Sequence, residues 1–269
     1  MFMIVFFQVQ QQYQPCAAPL NFHVVDEESS GFDILQKKLY TEATSFNNNN
    51  NVNKTTARKK FHLDSSWKRS SGGLNDQDRI ALGNLYYNIT SLFEFGLGES
   101  TYIAATTNSI SRYAGVDSDA LYVSTVRDNV YYEYNISHYQ FYFADIGPTK
   151  EWGKPISKKT IPFKSWYNYQ IVPLASQHQP FDVYFIDGRF RVACVCMSFL
   201  HAIKYGGDMS SVVKVVIHDG MKRKKQYSVI RRIGRLVGVM GELKVYMLRG
   251  NVTEADIIDL WEEYVHVLL

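Results

Sequence analysis

Read for the alternation of hydrophobic and polar positions, the chain changes character near Leu74. Residues 8–73 are polar and biased, with a glutamine-rich start, an asparagine tract over 47–53 and a lysine-rich stretch over 54–60. Such composition cannot bury enough apolar surface to offset chain entropy. Residues 1–73 are therefore expected to be a low-complexity, largely disordered arm, with one short helix over 32–40. Beyond Leu74 the pattern becomes periodic. Asn75 caps a predicted helix whose apolar positions are Ile80, Leu82 and Leu85. Short apolar runs ending in an acid then alternate with helical stretches. The predicted strands are 91–95, 113–117, 139–146, 181–187 and 212–217, and the predicted crossover helices are 102–111, 119–130 and 188–203. The run over 212–217 is almost continuously apolar, as a central parallel strand covered on both faces requires. A helix over 227–235 follows, and 236–239 with 243–248 read as a hairpin across Met240, Gly241 and Glu242. Thr253 then starts a helix with Ile257, Leu260, Trp261, Tyr264 and Val265 on one side.

Parallel strands need helical crossovers, and ligands of such sheets collect at the carboxyl ends of the strands. The expected fold is α/β, a Rossmann-like doubly wound and mostly parallel sheet of about seven strands with a C-terminal antiparallel hairpin. It would occupy 74–250, with 251–269 as a helix docked on it. Glu94, Asp117, Asp145, Asp187 and Asp219 would then meet at one rim.

The chemistry concentrates in Glu94-Phe95-Gly96-Leu97-Gly98-Glu99-Ser100-Thr101. Two glycines one residue apart between a strand and a helix let backbone approach a bulky ligand, and a helix start presents free N–H groups. Asp117 lies about twenty residues further on, the offset at which this fold sets a carboxylate against a ribose. A dinucleotide site would carry a third glycine where Thr101 stands, so a pyrophosphate is disfavoured; Glu94 also suits a cationic amino-acid end better than a phosphate. With these residues the turn resembles the cofactor site of class I S-adenosylmethionine-dependent methyltransferases. Asp187-Gly188-Arg189-Phe190-Arg191, Ile217-His218-Asp219, Asp145-Ile146-Gly147-Pro148-Thr149 and Trp152-Gly153 resemble an uncharacterised methyltransferase-like branch of that superfamily.

The resemblance implies S-adenosylmethionine as cofactor, held by Glu94, Gly96, Gly98, Ser100, Asp117 and Asp145, and methyl transfer to a small-molecule or glycan-like acceptor, at oxygen. His218 is the rim side chain that titrates near neutrality and is the candidate base, with Asp187 beside it. Arg189, Arg191 and Trp152 are candidate acceptor contacts, although Arg191 also suits pairing with Asp187 and Asp219. The aromatic residues Trp152, Trp166, Tyr167 and Tyr169 of the long 147–180 connection either cover a ligand or pack on the sheet. In catechol-type O-methyltransferases acids at the places of Asp187 and Asp219 hold a divalent metal; here Gly220 stands at the third ligand place, so a metal is not favoured. A non-catalytic binding module and an NAD-dependent oxidoreductase are the alternative readings.

Composition trims the remainder. With 46% hydrophobic residues among 269, the chain can bury a core, and a net charge of +3 gives no reason to expect nucleic acid as partner. The one basic run, residues 222–225, reads as a solvated face. Cys16, Cys194 and Cys196 have neither metal-ligand nor disulfide spacing. Residues 1–7 are too short to span a membrane and lack the basic start of a signal sequence, so a cytoplasmic location is the simpler expectation. A clipped signal would place the chain on the secretory route instead, and only there would the sequons at Asn53, Asn88, Asn135 and Asn251 matter.

Overall fold

The structure, a computed structural model, describes residues 73–150, 153–156, 163–207 and 212–268. The arm before Gly73, the helix expected over 32–40 and Trp152 lie outside the described residues.

In chain order the elements are α1 (Asp76–Tyr86), β1 (Ser91–Phe95), α2 (Glu99–Thr106), β2 (Arg112–Asp117), α3 (Ala120–Tyr134), β3 (Gln140–Phe143), a small antiparallel pair β4 (Thr149–Lys150) and β5 (Lys154–Pro155), α4 (Phe163–Gln170), α5 (Val172–Ala175), β6 (Val183–Ile186), α6 (Arg191–Gly206), β7 (Lys214–Ile217), β8 (Gly234–Met240), β9 (Leu243–Leu248) and α7 (Glu254–Tyr264). A 3-10 segment, Gln226–Arg232, precedes β8. The main sheet has seven strands in the order β3-β2-β1-β6-β7-β9-β8. The first five are parallel, and β9 runs antiparallel to both β7 and β8. This is the expected α/β architecture with its antiparallel end.

The central strands β1 and β6 are buried along their whole length, which is why β6 is apolar without alternation and why the two polar side chains of β1, Ser91 and Glu94, are both hydrogen-bonded. One core lies between the sheet and α4, α6 and α7, the other between the sheet and α1, α2 and α3. Helix α6 is enclosed so completely that Cys194 and Cys196 are both buried although two apart; both are free thiols. The stripe on α7 docks as its spacing predicts, and Trp261 Nε1 donates to Gln170 Oε1 (2.9 Å) while Gln170 Nε2 donates to the Val265 carbonyl (2.7 Å). Gln170 is buried and thereby satisfied at both ends of its amide.

Several local expectations are corrected. Helix α1 buries Ala81, Leu82 and Tyr86, together with the carboxylate of Asp78, and leaves Ile80 42% exposed. Its inward face is centred one position away from the predicted stripe, because Tyr86 carries more packing area than Ile80. Helix α2 begins three residues early, at Glu99, and ends at Thr106. The helix expected over 227–235 is 3-10 geometry, and Gly234 and Arg235 already belong to β8. The connection over 147–180 carries β4, β5, α4 and α5; Tyr169 is fully buried in the core, and Trp166 and Tyr167 pack half-buried against it. Those three side chains serve packing. Among the described residues no helix is long and apolar enough to cross a membrane.

Candidate functional site

The turn after β1 is built on its neighbour across the sheet. Gly96 has φ +91°, and a Cβ there would stand 2.5 Å from both Cα and N of Gly188, the glycine in the turn after β6. The two turns touch backbone to backbone, so glycine is required by both the conformation and the approach. Gly98 differs. Its φ of 168° is extended and open to any residue, and a Cβ there would meet nothing closer than the Tyr122 hydroxyl at 3.7 Å. A side chain at Gly98 is thus neither strained nor in collision with the fold.

Beneath the turn Glu94 is fully buried. Its carboxylate accepts from the Thr101 hydroxyl (2.7 Å) and from the hydroxyls of Ser100 and Tyr113. Burial pushes its pKa up to about 7, partly countered by those hydroxyl bonds. Glu94 and Ser100 thus engage each other inside the protein. This corrects the expectation that Glu94 faces a cationic ligand: the acid lies under the turn because the β1 register turns its side chain into the layer beneath α2.

At the end of β2, half-buried Asp117 receives N–H bonds from Ser118 (2.6 Å), Leu97 (3.0 Å) and Asp119 (3.2 Å). Burial lifts its pKa to about 6 against these bonds. A carboxylate has about four acceptor positions, so the arrangement fixes its orientation and leaves capacity for a ligand. Asp145 is exposed two residues beyond β3, and its carboxylate accepts from Gly147 N–H (2.8 Å). Between the two strand ends lies an open cleft of about 450 Å³, walled by residues 118–121 on one side and by Phe143, Asp145 and residues 147–149 on the other. The turn between β4 and β5 reaches over this end: the Gly153 carbonyl accepts from Arg189 Nε (3.2 Å) and Ser118 Oγ (3.3 Å).

The ends of β6 and β7 are organised differently. Arg191, 4% exposed, bonds the carbonyls of Gly188, Asp187 and His218 and pairs with Asp187 (2.9 Å) and Asp219 (3.2 Å). That network places Arg191 inside the fold and removes it from the acceptor contacts, the alternative its spacing had also suggested. His218, 3% exposed, has Nδ1 3.0 Å from Asp187 Oδ1 and Nε2 3.3 Å from Asp78 Oδ2. Burial lowers its pKa, but the bond to Asp187 and the charges of Asp187, Asp219 and Asp78 outweigh this and hold the imidazole protonated above its usual range. Asp187, raised by burial, is brought below its ordinary value by His218 and Arg191. Asp187, His218 and Asp219 bring ligand-capable atoms within 4.8 Å of one another, with the Arg191 guanidinium against both acids. Arg189 is partly buried and reaches toward Gly153.

Sequence reasoning missed Asp78. Its position as the third residue of a capped helix explains one bond, to Asn75 N–H (3.3 Å). Its other oxygen accepts from Glu242 N–H (2.8 Å), from the β8–β9 turn, 164 residues away, a contact no local pattern announces. Tyr113, read only as a strand residue, and Thr101, read only as standing where a dinucleotide site has glycine, complete the cradle under the turn.

No family model and no curated protein matches the sequence. Among solved structures, a methyltransferase-like protein from Silicibacter pomeroyi DSS-3 superposes with a TM-score of 0.59 at 21% identity, covering 74% of this chain and 97% of that one. A candidate RNA methyltransferase from Pyrococcus horikoshii aligns with a TM-score of 0.35 at 12% identity, over 81% of this chain and 98% of the other, too loosely to carry an argument. The fold is that of Rossmann-like methyltransferases.

Proposed function

We propose that the protein binds S-adenosylmethionine at the carboxyl ends of β1, β2 and β3 and transfers its methyl group to an oxygen of a small-molecule or glycan-like acceptor. The observation that carries this reading is the uncrowded Gly98 backbone with an oriented, half-buried Asp117 held by the same turn, in a sheet of this strand order. Fold alone does not give a reaction, so the residues must. Gly96 fixes the turn, Gly98 admits the ligand against backbone, and Asp117 accepts from ribose hydroxyls. Ser100 and Glu94 support the turn from below, and Asp145 closes the far wall of the cleft. The cofactor supplies an electrophilic methyl on a sulfonium, so the chain has mainly to orient the acceptor and exclude water.

At the acceptor end Asp187 is the group that faces the chemistry. Both its contacts fall on Oδ1, and its side chain is 26% exposed, which leaves Oδ2 for an acceptor hydroxyl. His218 holds Asp187 charged and aligned as a positioning residue; with both nitrogens engaged it does not present a lone pair, and Asp187, kept as a carboxylate, would orient an acceptor hydroxyl by accepting its hydrogen bond rather than take its proton. The Arg191 guanidinium supplies between Asp187 and Asp219 the positive charge a metal would bring, so little metal dependence is expected.

Calorimetric titration with S-adenosylmethionine, its demethylated product and NADH tests the reading. Binding of the first two, weakened by roughly 1–3 kcal/mol in Asp117→Asn, is the expected outcome. Binding of NADH alone would make the domain a dinucleotide binder. The saturated charges at β6 and β7 favour one second reading, a methyltransferase-fold module without turnover, and slow methyl release to water or to any acceptor in a panel would exclude it.

A further inference from the structure

The strap formed by β4 and β5 follows β3 and comes down on the end of β2. Its base is fixed by the antiparallel pairs Thr149 with Pro155 and Lys150 with Lys154, and by the Ile156 N–H donating to the Pro148 carbonyl (2.9 Å). Lys150, Lys154 and Ile156 are exposed, so little apolar burial holds the strap down. At its tip Gly153 is buried. Its φ is +62°, and a Cβ there would stand 2.7 Å from Ser118 Oγ and 3.5 Å from Asp117 Oδ1. The backbone is laid directly on the end of β2, where only glycine fits.

The contact that holds the tip comes from the other side of β1. Ser118, directly after β2, donates from Oγ to the Gly153 carbonyl (3.3 Å), and Arg189, in the turn after β6, donates from Nε to the same oxygen (3.2 Å). In the sheet β1 lies between β2 and β6. An arginine rooted in the turn after β6 that reaches a carbonyl seated on β2 therefore spans the end of β1, where Gly96 meets Gly188. A second bond, from Arg189 Nη1 to the Gly188 carbonyl (3.3 Å), anchors the guanidinium on its own turn. We infer that Arg189 is a positioning residue that latches the β4–β5 strap across the β1 turn, and that this latch opens to admit S-adenosylmethionine and to release its demethylated product. The identity of the ligand rests on the methyltransferase reading, whereas the latch rests on the contacts of Gly153. A polar latch suits a gate, because a charge-assisted bond to one carbonyl is directional and can be exchanged for water, while buried apolar area would hold the strap shut.

The test follows the strap and the ligand separately, in the full chain. Hydrogen exchange of the amides in 149–156, measured without ligand, reads the opening of the strap. Arg189→Gln is expected to speed that exchange about tenfold. Ser118→Ala, which keeps the Ser118 N–H on Asp117, speeds it less, and in both variants the amides of β1 and β6 exchange as in the native protein. Arg189→Lys, which can still donate to the Gly153 carbonyl, restores part of the protection. Stopped-flow mixing with S-adenosylmethionine then reads the gate: association and dissociation both accelerate in the unlatched variants, by more than the affinity changes. Strap exchange as slow in Arg189→Gln and Ser118→Ala as in the native protein overturns the latch, and an unchanged association rate beside faster strap exchange overturns the gate. Should Arg189→Gln not fold, Ser118→Ala and Gly153→Ala, whose added methyl group meets Ser118 Oγ, carry both measurements. If calorimetry finds no binding of S-adenosylmethionine while the variants still speed strap exchange, the cofactor reading fails and the gate with it, and the latch stands.

Discussion

The acids at the two halves of the sheet rim carry the same carboxyl group in opposite circumstances. At β1 and β2, Glu94 and Asp117 are held by hydroxyls and backbone N–H groups, and burial raises both, to about 7 and about 6. At β6, Asp187 is held by Arg191 and His218 and is lowered. Neutral donors orient a carboxylate without settling its charge, whereas cations fix the charge and use up its valence. The first half therefore keeps acids whose charge can change near neutrality, and the second is a locked frame.

The comparison breaks most visibly at Arg191. Replacing it by Met leaves Asp187 and Asp219 without their shared cation, and a loss of about 3–5 kcal/mol is expected in chemical denaturation. A loss below about 1 kcal/mol would mean that solvent or His218 already neutralises that end.

Gly96→Ala probes the contact between the halves. The added methyl group meets Gly188 backbone at 2.5 Å in a left-handed conformation, and a loss of roughly 2–4 kcal/mol is expected, with cofactor binding falling alongside.

The raised acids predict a pH slope. A carboxyl group whose folded pKa exceeds its unfolded value binds more protons when folded, so its contribution is full below the unfolded value and is lost as pH rises through the folded one. Glu94 and Asp117 should make stability decline between about pH 4 and 7, by on the order of 2–3 kcal/mol for Glu94. Denaturation series in Glu94→Gln should show a flatter slope, and a slope unchanged from the native protein would remove Glu94 as its source. Asp187, being lowered, works in the other direction, its contribution being lost only as pH falls below the usual carboxylate range.

The smallest effect is expected at Gly98. With only the Tyr122 hydroxyl near its Cβ position, at 3.7 Å, Gly98→Ala should change stability by no more than about 0.5 kcal/mol, while S-adenosylmethionine affinity falls at least several-fold. Unchanged affinity would show that no ligand approaches this backbone. Gly96 and Gly98 look alike in sequence and are expected to separate cleanly in these two measurements.

Much of the architecture was legible because its causes are local. Continuous apolar runs ending in an acid marked β1, β6 and β7, and Thr253 with Asp256 marked the start of α7 through a reciprocal cap. The order of strand and helix then left few topologies, since crossovers of parallel strands keep one hand. The site was legible only as an inventory. Glu94, Asp117, Asp187 and His218 could be named from their places at strand ends, but not what each would hold.

That was decided by tertiary structure, because the energy of a buried charge depends on which groups the fold brings to it and hardly at all on its sequence neighbours. Asp78 reaches His218 across 140 residues of chain, and Gly188 closes on Gly96. The sequence by itself determined the sheet, its capped helices and the kinds of groups at its rim. Tertiary packing decided which acids are neutralised and which glycine is structural.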